Sequence, residues 1–468
     1  MSSTLPTEAQ ALLSRPPMRA VFRLGLPLAL ASFFQAGFNL TEVWVFGQVG
    51  DGGASRSGAA VSDMLTAIFA LLASGLGNAA VAQISTATGA RDEDTASAAA
   101  RAAIFVGIVL SVLSAVVGVL ATPIGDAFMQ TASRPPGIAF LRIMALGGFG
   151  TVFMVVSVGI LRARGDSVRP LVLIACVSIA TLVLESVFVL GLFGVEPSGI
   201  VPAAWITVIL RGLTGAWGVW MVSRKLSLRA PKGERFVDKA ILREQIRLGL
   251  LSAVQQSVRV LGMLAMVALA TLRLGEDASK DVFAAMAMWS KVDIPMIMLA
   301  FAWGGGTSPI VGMALGAGRP DHARRAAWAG ARIAGMAALV NTALVLLLAP
   351  MLIQAFAPGE TGVISTTTAL LDHVAPFYPA MAIGIAVAFA FNGAGDMVRP
   401  LLADTIVLVI IQSTLAYILG SPDVMGVTGF FVALSISGVL QGIVPSFLLW
   451  RARFFAHTHA HPSHDAGT

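Results

Sequence analysis

Residues 164–170 read RGDSVRP and residues 394–400 read AGDMVRP, so one charged motif, Gly-Asp-x-Val-Arg-Pro, occurs twice in the chain. A leucine follows each copy, and the copies lie 230 positions apart. In each copy we expect the glycine to end one helix, the aspartate to cap the next helix, and the proline to lie near that helix's start. The repetition predicts two related structural units in one chain.

The composition places these units in a membrane. The 468 residues are 56% hydrophobic and 12% charged, with a mean hydropathy of +0.83, whereas soluble proteins have roughly 25% charged residues. Apolar stretches of the ~20 residues that cross a bilayer recur along the chain. We therefore predict an all-α polytopic membrane protein with twelve spans, near residues 21–49, 57–87, 96–122, 138–161, 170–194, 199–223, 246–274, 281–314, 327–356, 374–393, 401–420 and 426–450.

A long polar stretch divides these spans into two sets of six. We therefore expect four parts along the chain: an N-terminal six-helix bundle over 1–223, a cytoplasmic linker over 224–245, a C-terminal six-helix bundle over 246–453, and a disordered tail over 454–468.

Two further sequence pairs align in the same order as the repeated motif. Residues 24–39 pair with 248–263, and residues 88–101 pair with 315–328. Because each unit has an even number of spans, both units enter the membrane from the same side. The repeat is then parallel, with its axis along the membrane normal.

Lysine and arginine predict the orientation, because cytoplasmic loops are enriched in them. With the N-terminus in the cytoplasm, 23 of the 31 basic residues fall on the cytoplasmic side. We expect a multi-pass protein of the cell inner (plasma) membrane with both termini cytoplasmic. The net charge of +6 then reflects the basic residues of the cytoplasmic loops. We therefore expect the lipid bilayer, not nucleic acid, to be the partner.

At this point the chain resembles the multidrug and toxic compound extrusion (MATE) transporters over about residues 15–453. The resemblance rests on the GLP segment at 25–50, the GAR and GAGRP loops at 89–91 and 316–320, and the two GDxVRP corners. It implies two bundles that form a V around an outward-open cavity. It also implies a monomer that exports small organic molecules, often cationic, in exchange for H+ or Na+.

Charged residues inside spans are costly and usually functional. We single out eight of them: Glu42, Asp63, Glu185, Arg211, Arg259, Lys291, Asp293 and Asp404. Asp63 lies near the outer end of its span, where it would reach water.

The resemblance assigns a cation-coupling pocket to the N-terminal bundle. Glu42 stands where the family usually has an aspartate, Thr181 and Glu185 take the places of an asparagine and an aspartate, and Thr207 matches a family threonine. Two buried carboxylates that share a pocket cannot both ionise cheaply, so one takes a proton or a cation. Alternatively, the glutamates pair with a basic residue such as Arg211 and serve packing only. The expected pocket comprises Gln35, Asn39, Glu42, Thr181, Glu185 and Thr207.

Span seven departs from the NorM-type branch of the family, which has a glutamate where this chain has Arg259. The departure favours the DinF-type branch, whose coupling pocket lies in the N-terminal bundle. We expect Arg259 to pair with Asp293 or Asp404. In the alternative, these carboxylates, with Lys291 nearby, contact a cationic substrate.

Pro27 lies in span one about four turns before Glu42. Proline removes a backbone hydrogen bond, so we expect Pro27 to be a hinge that responds to protonation of Glu42, or else to shape a fixed helix.

Other function classes find less support. The single cysteine, Cys176, allows no disulfide within the chain. The sequence has no Walker A motif, nucleophile triad or redox motif, so we expect no enzyme, no cofactor and no metal site. The alternative is a flippase for lipid-linked precursors from the same broad superfamily.

Overall fold

The computed structural model describes residues 7–47, 53–194, 196, 199–229, 236–356 and 361–452, with the side chains of a few helical positions, Lys291 among them, outside the description. The regular elements in these ranges are all helical, as predicted. The α-helices are α1 Thr7–Leu13, α2 Pro17–Gly47, α3 Ala54–Gly89, α4 Glu93–Val119, α5 Ala121–Phe128, α6 Arg134–Leu146, α7 Gly148–Ala163, α8 Val168–Leu190, α9 Val201–Lys225, α10 Lys239–Gly316, α11 Pro320–Phe356, α12 Thr361–Val374, α13 Tyr378–Gly393, α14 Val398–Asp404, α15 Gln412–Leu419 and α16 Val427–Arg451.

Eleven helical segments in the described residues are long and apolar enough to cross a membrane, and the number is twelve if one bent pair of helices counts as a span. The bent pair is α6 and α7, which meet at 46° and form the predicted fourth span. Gly147 lies at the bend, and a Cβ there would stand 2.2 Å from Val208 of α9. The small residue therefore lets the bent pair pack closely on α9.

The seventh and eighth predicted spans lie in one long helix, α10, which breaks at Gly275. Gly275 has φ 77° and ψ 175°, a combination that is essentially restricted to glycine. Asp238 caps the start of α10 by accepting hydrogen bonds from the backbone N–H groups of Ala240 and Ile241, at 2.7 and 3.0 Å. The helix therefore begins inside the stretch that we expected to be a linker.

The repeated motif forms the same corner in both places. Gly165 and Gly395 have φ +84° and +79° after α7 and α13. Asp166 then accepts a hydrogen bond from the backbone of Arg169, and Asp396 does the same for Arg399, each at 3.2 Å. Each arginine also pairs with its aspartate, at 2.7 and 3.2 Å. The motif is thus a corner in which the left-handed glycine ends one helix and the aspartate caps the next.

The two halves of the chain pack against each other through α2, α3, α10 and α11. Asn78 of α3 donates to Ser252 of α10 at 3.0 Å, and Gln245 of α10 donates to the carbonyl of Leu76 at 3.0 Å. Near the far end of these helices, a Cβ on Gly89 would meet the backbone of Met313. The division into bundles over 1–223 and 246–453 stays a prediction, and the tail over 454–468 lies outside the described residues.

One end of the molecule holds the start of α2, the turns 90–92 and 317–319, and both repeated corners, and we name it the basic end. The short helix α1, which the sequence did not predict, packs here. Ala9 and Leu12 are buried, and Arg319 donates to the carbonyl of Leu13 at 3.3 Å. The two halves are therefore in contact at the basic end.

Candidate functional site: two buried charge clusters

The first cluster joins four helices of the N-terminal half. Glu42 on α2 interacts electrostatically with Glu185 on α8, Asp63 on α3 and Arg211 on α9. Three carboxylates therefore lie within electrostatic range of a single guanidinium group. We call these four residues the N-terminal cluster. Its excess of negative charge calls for a further cation or a proton.

Glu185 is the most enclosed member of the N-terminal cluster. Its side chain is 1% exposed, and Thr207 donates a hydrogen bond to its Oε1 at 2.9 Å. The other oxygen, Oε2, is buried and has no hydrogen-bond partner among the described residues. A buried polar atom without a partner is costly, so this oxygen is where a proton or cation would be held.

The side of α2 that carries Glu42 is polar for two further turns. Gln35 Nε2 donates to Asn39 Oδ1 at 3.0 Å, and both side chains are half-buried. Glu42 follows Asn39 by three residues, so all three lie along one strip of the helix. The structure thus brings Gln35, Asn39 and Glu42 to the same face.

One expected pocket residue, Thr181, turns elsewhere. Thr181 is buried on α8, but its hydroxyl donates to the carbonyl of Val177 at 2.7 Å and not to Glu185. Arg211 Nη1 donates weakly to Thr151, at 3.4 Å. Of the two threonines named from the sequence, the structure therefore places only Thr207 in contact with a carboxylate.

Asp63 is the member that the sequence did not assign to the pocket. Its side chain is exposed, yet it interacts with Arg211 and with both glutamates. The signal in the sequence was a carboxylate within the apolar run 57–87, but nothing there showed that Asp63 lies within electrostatic range of Arg211.

The second cluster surrounds Arg259 in the C-terminal half. Arg259 Nη2 lies 3.5 Å from Asp404 Oδ2, and its Nη1 donates to Gln441 Oε1 at 2.9 Å. Gln255 donates to the same Asp404 oxygen at 3.1 Å. The guanidinium also lies 5.9 Å from the ring centre of Phe301. Of the two expected partners, Asp404 is the one in contact with Arg259.

Asp293 lies near this group but has different partners. It is 8% exposed, interacts electrostatically with Arg259, and shares a hydrogen bond with Tyr378. The Tyr378 hydroxyl in turn accepts a hydrogen bond from Trp289 Nε1 at 2.8 Å. Asp293 Oδ1 is buried without a partner among the described residues. The side chain of Lys291, the other basic residue expected here, lies outside the described residues.

A π-helical turn over Thr405–Ile411 follows Asp404 directly. Such turns are rare and occur frequently at functional sites. Here Gln412, at the end of the turn, donates to the carbonyl of Gly262 on α10 at 3.4 Å. The wide turn therefore joins the helix of Asp404 to the helix of Arg259. We call Arg259, Asp293, Tyr378 and Asp404 the C-terminal cluster.

Comparisons with known sequences find one family. The profile of the family described as MatE matches residues 27–187 and 253–418 of the chain. The multidrug resistance protein NorM of Burkholderia vietnamiensis is 25% identical over 410 residues, which cover 82% of this chain and 83% of that protein. A probable multidrug resistance protein NorM of Rhizobium meliloti is 26% identical, with 93% of each chain covered. These names do not support the expected DinF-type branch.

Solved structures agree with the fold. A structure described as the outward-facing conformation of a multidrug resistance MATE family transporter of the MOP superfamily matches with a TM-score of 0.85, at 23% identity, over 97% of this chain and 99% of that one. A MOP superfamily transporter from Pyrococcus furiosus, described as having a binding pocket of reverse polarity, matches with a TM-score of 0.84 at 24% identity, over 97% and 99%. The predicted MATE-like, all-helical membrane fold is confirmed.

Proposed function

Because this chain belongs to the MatE family, we propose that it is a secondary antiporter that exports organic compounds, cationic or amphiphilic, in exchange for protons that flow inward. Members of that family are membrane transporters and not enzymes. The relatives that match are named as multidrug resistance proteins, which supports a multidrug efflux role. In this proposal the protein acts as a monomer in the plasma membrane, with both termini in the cytoplasm.

The observation that carries the proposal is the Oε2 atom of Glu185, which has no hydrogen-bond partner among the described residues and lies near a second carboxylate, Glu42. A cationic substrate and a proton both reduce the negative charge of this cluster. They therefore compete for it, and competition of this kind is what couples two opposite flows. Protonation of a glutamate from the outer side would release the substrate, and loss of the proton to the cytoplasm would reset the cluster.

We favour H+ over Na+ as the coupling ion. A proton satisfies a single buried oxygen, whereas a metal cation needs several oxygen ligands. Within the described residues, Oε1 of Glu185 already accepts from Thr207, and Thr181 donates to its own helix backbone. Arg211 adds a positive charge that opposes a metal ion. Coupling in the N-terminal half, with Arg259 in the C-terminal half, is also the arrangement that we expected of the DinF-type branch.

Pro27 is the proposed hinge of α2. The helix continues through it from Pro17 to Gly47, although proline leaves one backbone carbonyl without its helical partner. A change in the charge of Glu42 would alter how the outer part of α2 packs. Spin labels at the two ends of α2, read between pH 5 and 9, test this idea. A distance that shifts equally in the wild type and in Glu42→Gln would show that Glu42 does not drive the bend.

The flippase alternative would require a lipid-linked substrate. The mixed charges of the two clusters, five carboxylates with the two arginines Arg211 and Arg259, favour an exchange of cations over the binding of a large anion. A transport assay separates the two functions.

The test uses purified protein in proteoliposomes with a fluorescent organic cation as substrate. A pH gradient alone should drive its movement, and a Na+ gradient alone should not. Glu42→Gln and Glu185→Gln should abolish gradient-driven movement at equal protein content. Glu244→Gln, which changes an exposed carboxylate outside both clusters in the same way, should retain it. Wild-type rates in either cluster variant would refute the assignment of the coupling site.

A further inference from the structure

Two adjoining grooves open at the basic end between the start of α2 and α11. One measures about 600 Å³ and the other about 740 Å³, and Met18 lines both. Their walls belong to different halves of the chain, because α2 is the first span and α11 follows the eighth. We call the two together the α2–α11 groove. It is separate from both charge clusters.

Arginines line the part of this groove nearest the end of the molecule. Arg19 and Arg23 lie one turn apart on α2, and Arg15 lies just before that helix. Arg325 and Arg332, seven residues apart, lie on one face of α11. Asp321 is the single acidic residue that lines this described groove. The rim is therefore strongly positive on both walls.

Most of these guanidinium groups have no partner among the residues that the structure describes. In the described ranges, the guanidinium groups of Arg15, Arg19, Arg23 and Arg332 make no hydrogen bond or ion pair, and their side chains are exposed. This differs from the arginines of the repeated corners, which are paired with aspartates. Four cations that line two adjoining grooves repel one another, so an anion that binds between them is attracted by each of them.

The groove becomes apolar towards the middle of the molecule. Phe22 lies against Trp303, with 5.7 Å between the ring centres. Ile333, Met336 and Val340 continue the wall along α11. Phe22 and Met336 are each 51% exposed, and Val340 is 63% exposed. A concave surface with cations at one end and hydrocarbon along its length matches a molecule with an anionic head and apolar chains.

We propose that the α2–α11 groove binds an anionic phospholipid, with the phosphate between the arginines of α2 and α11 and an acyl chain along Phe22, Met336 and Val340. Arginine suits phosphate because its planar fork donates hydrogen bonds in pairs. The positive-inside rule places this end in the cytoplasm, where the leaflet carries anionic lipids and basic pockets between spans bind their head groups.

Such a lipid would bridge the two halves of the transporter. Because its arginine ligands come from α2 on one side and α11 on the other, it binds best when the basic end is closed. A ligand that prefers one conformation shifts the population towards it. The groove therefore makes the closure of the basic end depend on the lipid composition of the membrane.

The test measures lipid binding to the full-length protein in a neutral detergent. Thermal shift and native mass spectrometry are recorded with phosphatidylglycerol, cardiolipin and phosphatidylcholine, and with inorganic phosphate. We expect the two anionic lipids to raise the melting temperature of the wild type and to stay bound to it in native mass spectra. Phosphatidylcholine and inorganic phosphate should have little effect on either measurement. Arg19→Gln/Arg332→Gln should weaken the apparent Kd for phosphatidylglycerol about 30-fold, from about 1 kcal/mol for each charge.

Arg56→Gln/Arg243→Gln is the matched control, because it removes two exposed positive charges that lie outside the groove. It should bind phosphatidylglycerol as the wild type does. Equal stabilisation of the wild type by phosphatidylcholine would overturn the proposal, as would an equal effect of inorganic phosphate, which would indicate a site for the free ion. Unchanged lipid affinity in Arg19→Gln/Arg332→Gln would overturn it as well. The wild-type comparison remains decisive even if that variant does not fold.

Discussion

At the scale of single residues, two threonines in the N-terminal half offer a matched comparison. Thr207 donates to the carboxylate of Glu185, whereas Thr181, one turn before Glu185, donates to a backbone carbonyl. A donor stabilises the charged form of a carboxylate. We therefore predict that Thr207→Val moves the pH at which efflux is half-maximal upwards, and that Thr181→Val leaves it unchanged. The pH profile of efflux in proteoliposomes measures this, and equal profiles for the two variants would exclude a role of Thr207 at the cluster.

A second prediction at this scale concerns Arg259. Its removal leaves Asp404, which is 3% exposed, with Gln255 as its remaining partner. Breaking a buried pair in this way costs about 3–5 kcal/mol in soluble proteins. We expect Arg259→Ala to lower the melting temperature in detergent, and Arg259→Gln/Asp404→Asn to recover much of the loss. If Arg259→Ala melts as the wild type does but no longer couples efflux to the pH gradient, Arg259 belongs to the transport mechanism.

At the scale of secondary structure, the close packing of α2 on α10 depends on glycine. A Cβ on Gly306 would lie 2.7 Å from the backbone of Gly25, and one on Gly37 of α2 would meet nothing within 4 Å. We predict that Gly306→Ala separates the two helices and lowers the melting temperature. Gly37→Ala should keep or raise it, because alanine favours a helix by about 1 kcal/mol. A melting temperature for Gly306→Ala at or above that of Gly37→Ala would contradict the close approach.

At the scale of the whole molecule, Arg162 connects the two halves near the basic end. This half-buried side chain at the end of α7 donates to the carbonyl of Gly305 on α10 at 2.9 Å. We predict that Arg162→Gln weakens closure of the basic end. Spin labels at positions 94 and 321, in a Cys176→Ser background, should show a wider distance distribution in this variant. The control is Arg243→Gln, which changes an exposed arginine at the start of α10. Equal distance distributions in the two variants would exclude a role of the Arg162–Gly305 contact in closure.

The charge clusters show how much of the candidate site could be predicted from the sequence. Helical spacing was enough to place Gln35, Asn39 and Glu42 on one face, because positions three and four apart are neighbours on any helix. It could not show that the Thr181 hydroxyl donates to the backbone of its own helix or that Asp63 interacts electrostatically with Arg211. Both facts depend on side-chain rotamers and on which helices are neighbours, and neither is encoded within one segment.

The sequence by itself determined the features that depend only on short segments of the chain. The length of the apolar stretches predicted the spans, and the small fraction of charged residues predicted a membrane protein. The repeated motif Gly-Asp-x-Val-Arg-Pro predicted two equivalent corners, because the left-handed glycine and the capping aspartate each depend only on residues next to them in the chain. The tertiary structure alone decided the contacts that join distant segments. It decided that Arg259 contacts Asp404, that Arg162 reaches Gly305, and that the arginines of α2 and α11 line one groove. The physical reason is that a buried charge is stabilised by whichever partner the packing of helices brings within hydrogen-bond distance, and that packing depends on the shape of every helix at once.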